Sequence, residues 1–113
     1  MTVHRLTERW QRRETDPPMR QMWERYVHHA ALAPAHMGAA LVLASWADYT
    51  TGLIPASAPV AAAELAAQTG IVPGRIAIAY RNLATRCLTA GPAQMPTRLT
   101  LPAAVLPRLR TLR

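Results

Sequence analysis

Arg75, Arg81 and Arg86 recur at spacings of six and five residues in a segment without an acidic side chain, and Arg98 follows in a short Leu/Thr-rich run. A guanidinium is always charged, and its rigid fork of N–H donors matches a phosphate or the O6/N7 edge of guanine. The residues between these arginines are small, apolar or amide: Gly74, Ala77, Ile78 and Asn82. Such side chains approach a surface, touch a methyl group or exchange hydrogen bonds, but they do not move protons. The rest of the chain adds no catalytic set. Its six acids are scattered, with no pair placed as acid and base on one element. Ser45 and Ser57 lack a local His, and no Gly-rich phosphate loop follows a strand. The expectation is therefore a binding protein rather than an enzyme, without a cofactor. Cys87 and the four histidines, His4, His28, His29 and His36, do not suggest a metal centre either. Adjacent His28 and His29 diverge by about 100° on a helix, and there is no second Cys. The histidines are expected to face solvent and Cys87 to be a small core residue.

Charge placement points to the partner. Met1 to Arg25 holds six Arg and four acids, Tyr26 to Gly74 only Asp48 and Glu64, and Arg75 to Arg113 seven Arg and no acid. The formal charge of +7 thus resides in the last block. A solvated face without a partner usually mixes signs, whereas a one-signed block is the footprint of a polyanion. A GC-rich genome would account for cations that are all Arg, but not for the disappearance of acids after Glu64.

The elements that must position these arginines follow from periodicity. Ala62, Leu65 and Ala66 form an apolar stripe at i, i+3, i+4, and Gly70 stands where a helix end favours a left-handed residue. Ile71 plugs the turn, and Pro73 suits the first turn of a second helix. That helix turns Ile76, Ala79, Tyr80 and Leu83 inward and leaves Gly74, Arg75, Ala77, Ile78, Arg81 and Asn82 pointing outward. Two short helices around a glycine turn, the second with outward arginines, form a helix-turn-helix pattern.

Around this unit, residues 1–15 read as a basic N-terminal arm, either a short helix docked by Leu6 and Trp10 or a frayed segment. Asp16-Pro17-Pro18 reads as a capped helix start, and residues 16–34 as an amphipathic helix. Its stripe of Met19, Met22, Trp23, Tyr26, Val27, Ala30 and Ala31 would serve core packing or a homodimer through residues 19–31. Pro34 breaks the chain, and a helix from about His36 to Tyr49, apolar on most sides, should lie in the middle of the domain. Residues 50–59 read as a loop. Cys87–Ala90 and Thr97–Leu101 read as two strands of a β-hairpin with a proline-stiffened tip. Residues 103–113 form a basic terminal helix or tail with Arg108, Arg110 and Arg113.

At 113 residues the chain makes one domain, and an Ala-rich composition with no Phe, three Trp and three Tyr suits closely packed helices. A single cysteine excludes an internal disulfide and suggests a reducing cytoplasm. The N-terminus has no apolar signal-peptide core, and the charge-free run from Tyr26 to Ala47 is broken by three His and Pro34, so no membrane span is expected.

Helices, then a helix-turn-helix, then a hairpin is the order of a winged-helix domain. The chain resembles the bacterial winged helix-turn-helix regulators, including GntR-like and PadR-like DNA-binding domains, over about residues 40–102. Leu65-Ala66, Thr69-Gly70-Ile71, Gly74-Arg75-Ile76 and Arg81-Asn82-Leu83 carry the resemblance, with Arg98-Leu99-Thr100-Leu101 similar to the family's wing strand. Val72 departs from it by standing where these domains often carry a Ser/Thr cap, and Ala77 and Ile78 by occupying positions that usually hold polar base readers. The resemblance implies a mainly α fold: a winged helix-turn-helix over residues 35–102, with a two-stranded C-terminal wing and an extra N-terminal amphipathic helix.

The functional expectation is a bacterial, cytoplasmic, nucleoid-associated protein that binds double-stranded DNA sequence-selectively as a transcriptional regulator. Pro73, Gly74, Arg75, Ala77, Ile78, Arg81, Asn82, Arg86 and Arg98 are the candidate contacts. Arg75 and Arg81 would read bases or grip phosphates, Ala77 and Ile78 would touch thymine methyl groups, and Arg98 with the hairpin tip would lie along the flanking backbone or minor groove. A plasmid- or phage-type replication or partition factor needs the same surface. A winged helix used only for protein–protein interaction, docking through Ala77 and Ile78, is the reading from another class.

Overall fold

Pro17 and Pro18 lead into the first helix of the computed structural model, which describes residues 15–105. The elements are α1 (Met19–His29), α2 (Pro34–Ser45), α3 (Ala62–Thr69), α4 (Pro73–Thr85), β1 (Thr89–Ala90) and β2 (Arg98–Leu99), closed by a 3-10 turn at Ala103–Val105. The arm before Thr15, and Arg108, Arg110 and Arg113 of the tail, lie outside the described residues.

The α1 stripe is core as far as Val27, but the helix ends at His29 rather than near residue 34, leaving Ala30 half-buried and Ala31 exposed beyond it. Met19, Met22, Trp23 and Val27 are buried and Tyr26 packs partly buried against them, so the strongest apolar side chains of 19–31 are used within the chain. The start of α1 differs from the expected carboxylate cap. Pro18 is the N-cap and offers no side-chain bond. The Met19 and Arg20 N–H groups donate instead to the Thr50 and Tyr49 carbonyls, at 2.9 and 3.0 Å. With two prolines between Asp16 and the helix, the first-turn donors are met by backbone from the turn after α2.

Pro34 opens α2 rather than merely interrupting the chain, because its fixed φ and missing N–H suit the first helical position. The helix stops at Ser45, four residues before the expected Tyr49. Asp48 bends the chain there: its Oδ2 accepts from Thr51 N at 2.8 Å, Thr51 Oγ1 at 2.9 Å and Thr50 N at 3.1 Å. As expected, α2 is central, packing on α1, α3 and most extensively on α4, through the buried residues Ala39, Ala40, Leu43 and Ala44. Trp46, expected on its apolar surface, is exposed and donates its indole N–H to Gln68 Oε1 at 2.8 Å.

The hairpin forms as an antiparallel pair, with Thr89 opposite Leu99 and Ala90 opposite Arg98. Its regular strands are two residues each, shorter than expected, although flanking bonds from Thr97 N to Ala90 O and Thr100 N to Leu88 O, both 2.9 Å, extend the pairing. The segment read as a loop supplies the other side of β2: Leu53 bridges Arg98, Leu99 N donates to Gly52 O at 2.8 Å, and Ile54 N to Thr97 O at 2.9 Å. Gly52 permits this approach. Its φ is +78°, and a Cβ there would lie 2.7 Å from Met19 Cγ and 3.1 Å from Leu99 O.

Two long-range side-chain bonds close the core. Buried Trp23 donates Nε1–H to Leu88 O at 2.8 Å, joining α1 to the hairpin. Tyr80 of α4 donates its hydroxyl to Val60 O, and burial pushes that phenol well above its ordinary pKa. Among the described residues no helix is long and apolar enough to cross a membrane.

Candidate nucleic-acid interface

Gly70, at φ +76°, ends α3 in the left-handed conformation, and its N–H donates to Ala66 O at 2.9 Å. Thr69 Oγ1 donates to Leu65 O at 2.9 Å and accepts from Ile71 N at 3.1 Å, so the turn is tied to the helix it leaves. Ile71 packs partly buried against the core, holding α3 and α4 at a fixed mutual angle. Val72 is the N-cap of α4 without a side-chain cap bond, and Pro73 takes the first helical position.

With Ile76, Ala79, Tyr80 and Leu83 buried, about 100° of rotation per residue centres the outer face on Gly74, Ile78, Arg81 and Thr85. Arg75 and Arg81 do not share one line on that face. Six residues carry Arg81 about 9 Å along the axis and about 120° around it, so Arg81 lies on the outer face and Arg75 at its edge, on the side of Asn82, with Ile78 between them. Both are exposed, as is Arg98, and the only ion pair among the described residues is Arg20–Glu24. This combination presents uncompensated positive charge.

The remaining candidates divide. Pro73 and Gly74 are exposed at the start of α4, and nothing lies within 4 Å of where a Gly74 Cβ would stand. Ile78 is 53% exposed on the outer face. Ala77 is half-buried, and its carbonyl accepts a 3.0 Å bond from Gln94 Nε2 at the hairpin tip. The tip therefore lies against the Ala77 flank of α4. Arg98 projects from β2, between Ala90 on one side and Leu53 on the other.

Asn82 and Arg86 are engaged in holding the fold. Asn82, expected to point outward, is half-buried on the flank facing α2, with its Nδ2 3.3 Å from His36 Nδ1. The same contact removes His36 from the expected solvent-facing set, whereas His28 and His29 are exposed. Arg86 is exposed but donates from Nη1 to Ala30 O at 3.2 Å, placing its charge at the C-terminal end of α1, where the helix dipole favours a cation. Gln94 was missed by sequence reasoning, since an isolated amide in a proline-rich turn has no periodic signal.

Cys87 is buried just past α4 with φ +60°. Its N–H donates to Ala84 O at 3.1 Å and that of Leu88 to Leu83 O at 2.9 Å, a Schellman termination that turns the chain into β1. Among the described residues no three His, Cys, Asp or Glu side chains group to hold a metal ion. The exposed chemistry of α4 is thus two guanidinium groups, the Ile78 and Pro73 side chains, the Thr85 hydroxyl and open backbone at Gly74. Comparison of the chain with protein-family models, with curated proteins and with solved structures finds no match.

Proposed function

We propose that this chain binds double-stranded DNA as a winged helix-turn-helix regulator, with α4 in the major groove and the β1–β2 hairpin as the wing on the flanking backbone. The observation that carries the reading is the exposed face of α4: Arg81 on the outer face and Arg75 at its edge, either side of Ile78, within a chain that has no acid after Glu64. A helix fits the major groove, where the Arg81 guanidinium reaches toward base edges and Arg75 toward the flanking backbone. The element order supports it as well, since α2, the Leu53 bridge, α3, α4 and the hairpin follow the winged-helix sequence.

An electrophoretic shift on random duplex across a salt series tests the reading. Each neutralised phosphate releases counterion, so five engaged arginines should give a slope of log affinity on log salt of about −4 to −5. Affinity indifferent to salt, or no shift at low salt, would overturn it. Exposed Ile78 favours one competing reading, docking on a protein, and a salt-indifferent interaction is the result that reading expects.

A further inference from the structure

We infer that Ile78 is a specificity-determining residue that reads the C5-methyl group of a pyrimidine, next to a guanine read by Arg81. This inference rests on the DNA-binding reading and adds the kind of base step that α4 selects.

The structure separates Ala77 from Ile78, which the sequence left equivalent. Ala77 is half-buried and Gln94 sits against its carbonyl, so that flank is occupied by the hairpin tip. Ile78 stands on the outer face, 53% exposed, one turn beyond Gly74, whose missing side chain leaves open space. A bulky aliphatic group centred between the two flanking arginines is the part of α4 that would go deepest into a groove. The major-groove edges of the bases offer one apolar feature, the C5-methyl group, carried by thymine and by 5-methylcytosine. A polar base edge facing Ile78 would lose its water without gaining a hydrogen bond, so a mismatch is penalised as well as the match favoured. Arg81 follows Ile78 by three residues, about 4.5 Å along the helix and on the adjoining part of the face. That displacement is close to one base-pair rise, so the methyl-bearing pyrimidine and the G·C pair are neighbours. The exposed guanidinium supplies the charge complementarity that brings the groove to this face.

The test begins with selection of a preferred site from a random duplex pool. Each thymine of that site is then replaced singly by deoxyuridine, which removes only the methyl group. At one thymine beside a G·C pair, the wild-type protein should lose about threefold to tenfold in affinity, the scale of one methyl group leaving an apolar contact. Ile78→Ala should bind the unmodified site more weakly and be indifferent to that uracil. Because Ile78 is exposed, the variant should keep the wild-type thermal midpoint, and Ile78→Val should restore part of the discrimination. Replacing the T·A pair by C·G, with and without a C5-methyl on cytosine, distinguishes the two methyl sources. Recovery with 5-methylcytosine alone means the methyl is read irrespective of the base. No recovery overturns reading of the methyl on any pyrimidine and confines the contact to thymine, where the deoxyuridine loss defines it. A selected site bound equally well with every thymine replaced would overturn this inference and leave the DNA-binding reading standing. Absence of any duplex binding would overturn both.

Discussion

Trp23 and Leu88, 65 positions apart, are joined by a 2.8 Å hydrogen bond from the buried indole N–H to the backbone carbonyl that precedes β1. The same carbonyl accepts from Thr100 N across the hairpin at 2.9 Å, so one oxygen connects α1 to both arms of the hairpin. Helix α1 is therefore part of the support for the hairpin and, through Gln94, for the Ala77 flank of α4.

Substitution at Trp23 should separate packing from hydrogen bonding. Trp23→Ala, removing a fully buried side chain, should cost about 3–5 kcal/mol. Trp23→Phe should cost less, about 1–2 kcal/mol, because Leu88 O keeps its bond from Thr100. Urea denaturation of the two variants measures both losses. Equal losses would mean that the ring kept by Phe adds nothing and that the stability lies in what both variants lack, the indole N–H bond to Leu88 O included.

Asp48 makes stability depend on pH at the acid end. The Thr51 backbone N–H, then the Thr51 hydroxyl and the Thr50 N–H, hold its carboxyl below the ordinary value of 3.8 against a smaller opposing effect of desolvation. A folded pKa lower than the unfolded one stabilises the fold above about pH 4, and this contribution disappears as pH falls through the folded value. The thermal midpoint of the wild type should exceed that of Asp48→Asn by a constant margin above about pH 5, and the margin should shrink toward pH 3. A margin unchanged across that range would remove Asp48 from the account.

Two helix ends should respond in opposite directions to glycine and alanine. Ala31, exposed just after α1, has φ +53°, a conformation that costs an L-residue about 1 kcal/mol. Ala31→Gly should raise stability by about 0.5–1 kcal/mol, since the relief is partly offset by the greater freedom of glycine in the unfolded chain. Gly70→Ala meets no steric neighbour, but its φ of +76° should lower stability by about 1 kcal/mol. Calorimetric midpoints should rise for the first variant and fall for the second.

Arg81 and Arg86 should fail in different assays. Arg81→Ala should leave the thermal midpoint unchanged and cost about 1–3 kcal/mol of binding on the preferred duplex, with discrimination relaxed at one base pair. Arg86→Ala should lower the midpoint by about 0.5–1.5 kcal/mol of stability, because it removes the bond to Ala30 O at the end of α1. Loss of site discrimination in Arg86→Ala at unchanged stability would move that residue from the fold to the interface.

By itself, the sequence determined the two helices around Gly70, the inward set Ile76, Ala79, Tyr80 and Leu83, the burial of the α1 stripe from Met19 to Val27 and the existence of the hairpin. Each is written in local periodicity or turn chemistry, which act over a few residues and survive any change in what lies opposite. Tertiary structure alone decided which neighbour each flank of α4 meets. Asn82 looks outward on a helical wheel, but α2 covers that flank and His36 holds the amide. Ala77 and Ile78 are adjacent and equally apolar, but Gln94 lies against one while the other stands 53% exposed. Leu53 has no strand signal, since three residues show no alternation, and it joins β2 only because Gly52 admits Leu99 O to close range. Periodicity sets which side of an element turns inward. Contacts across 13 to 65 positions depend on how whole elements pack, and no short window of residues records that.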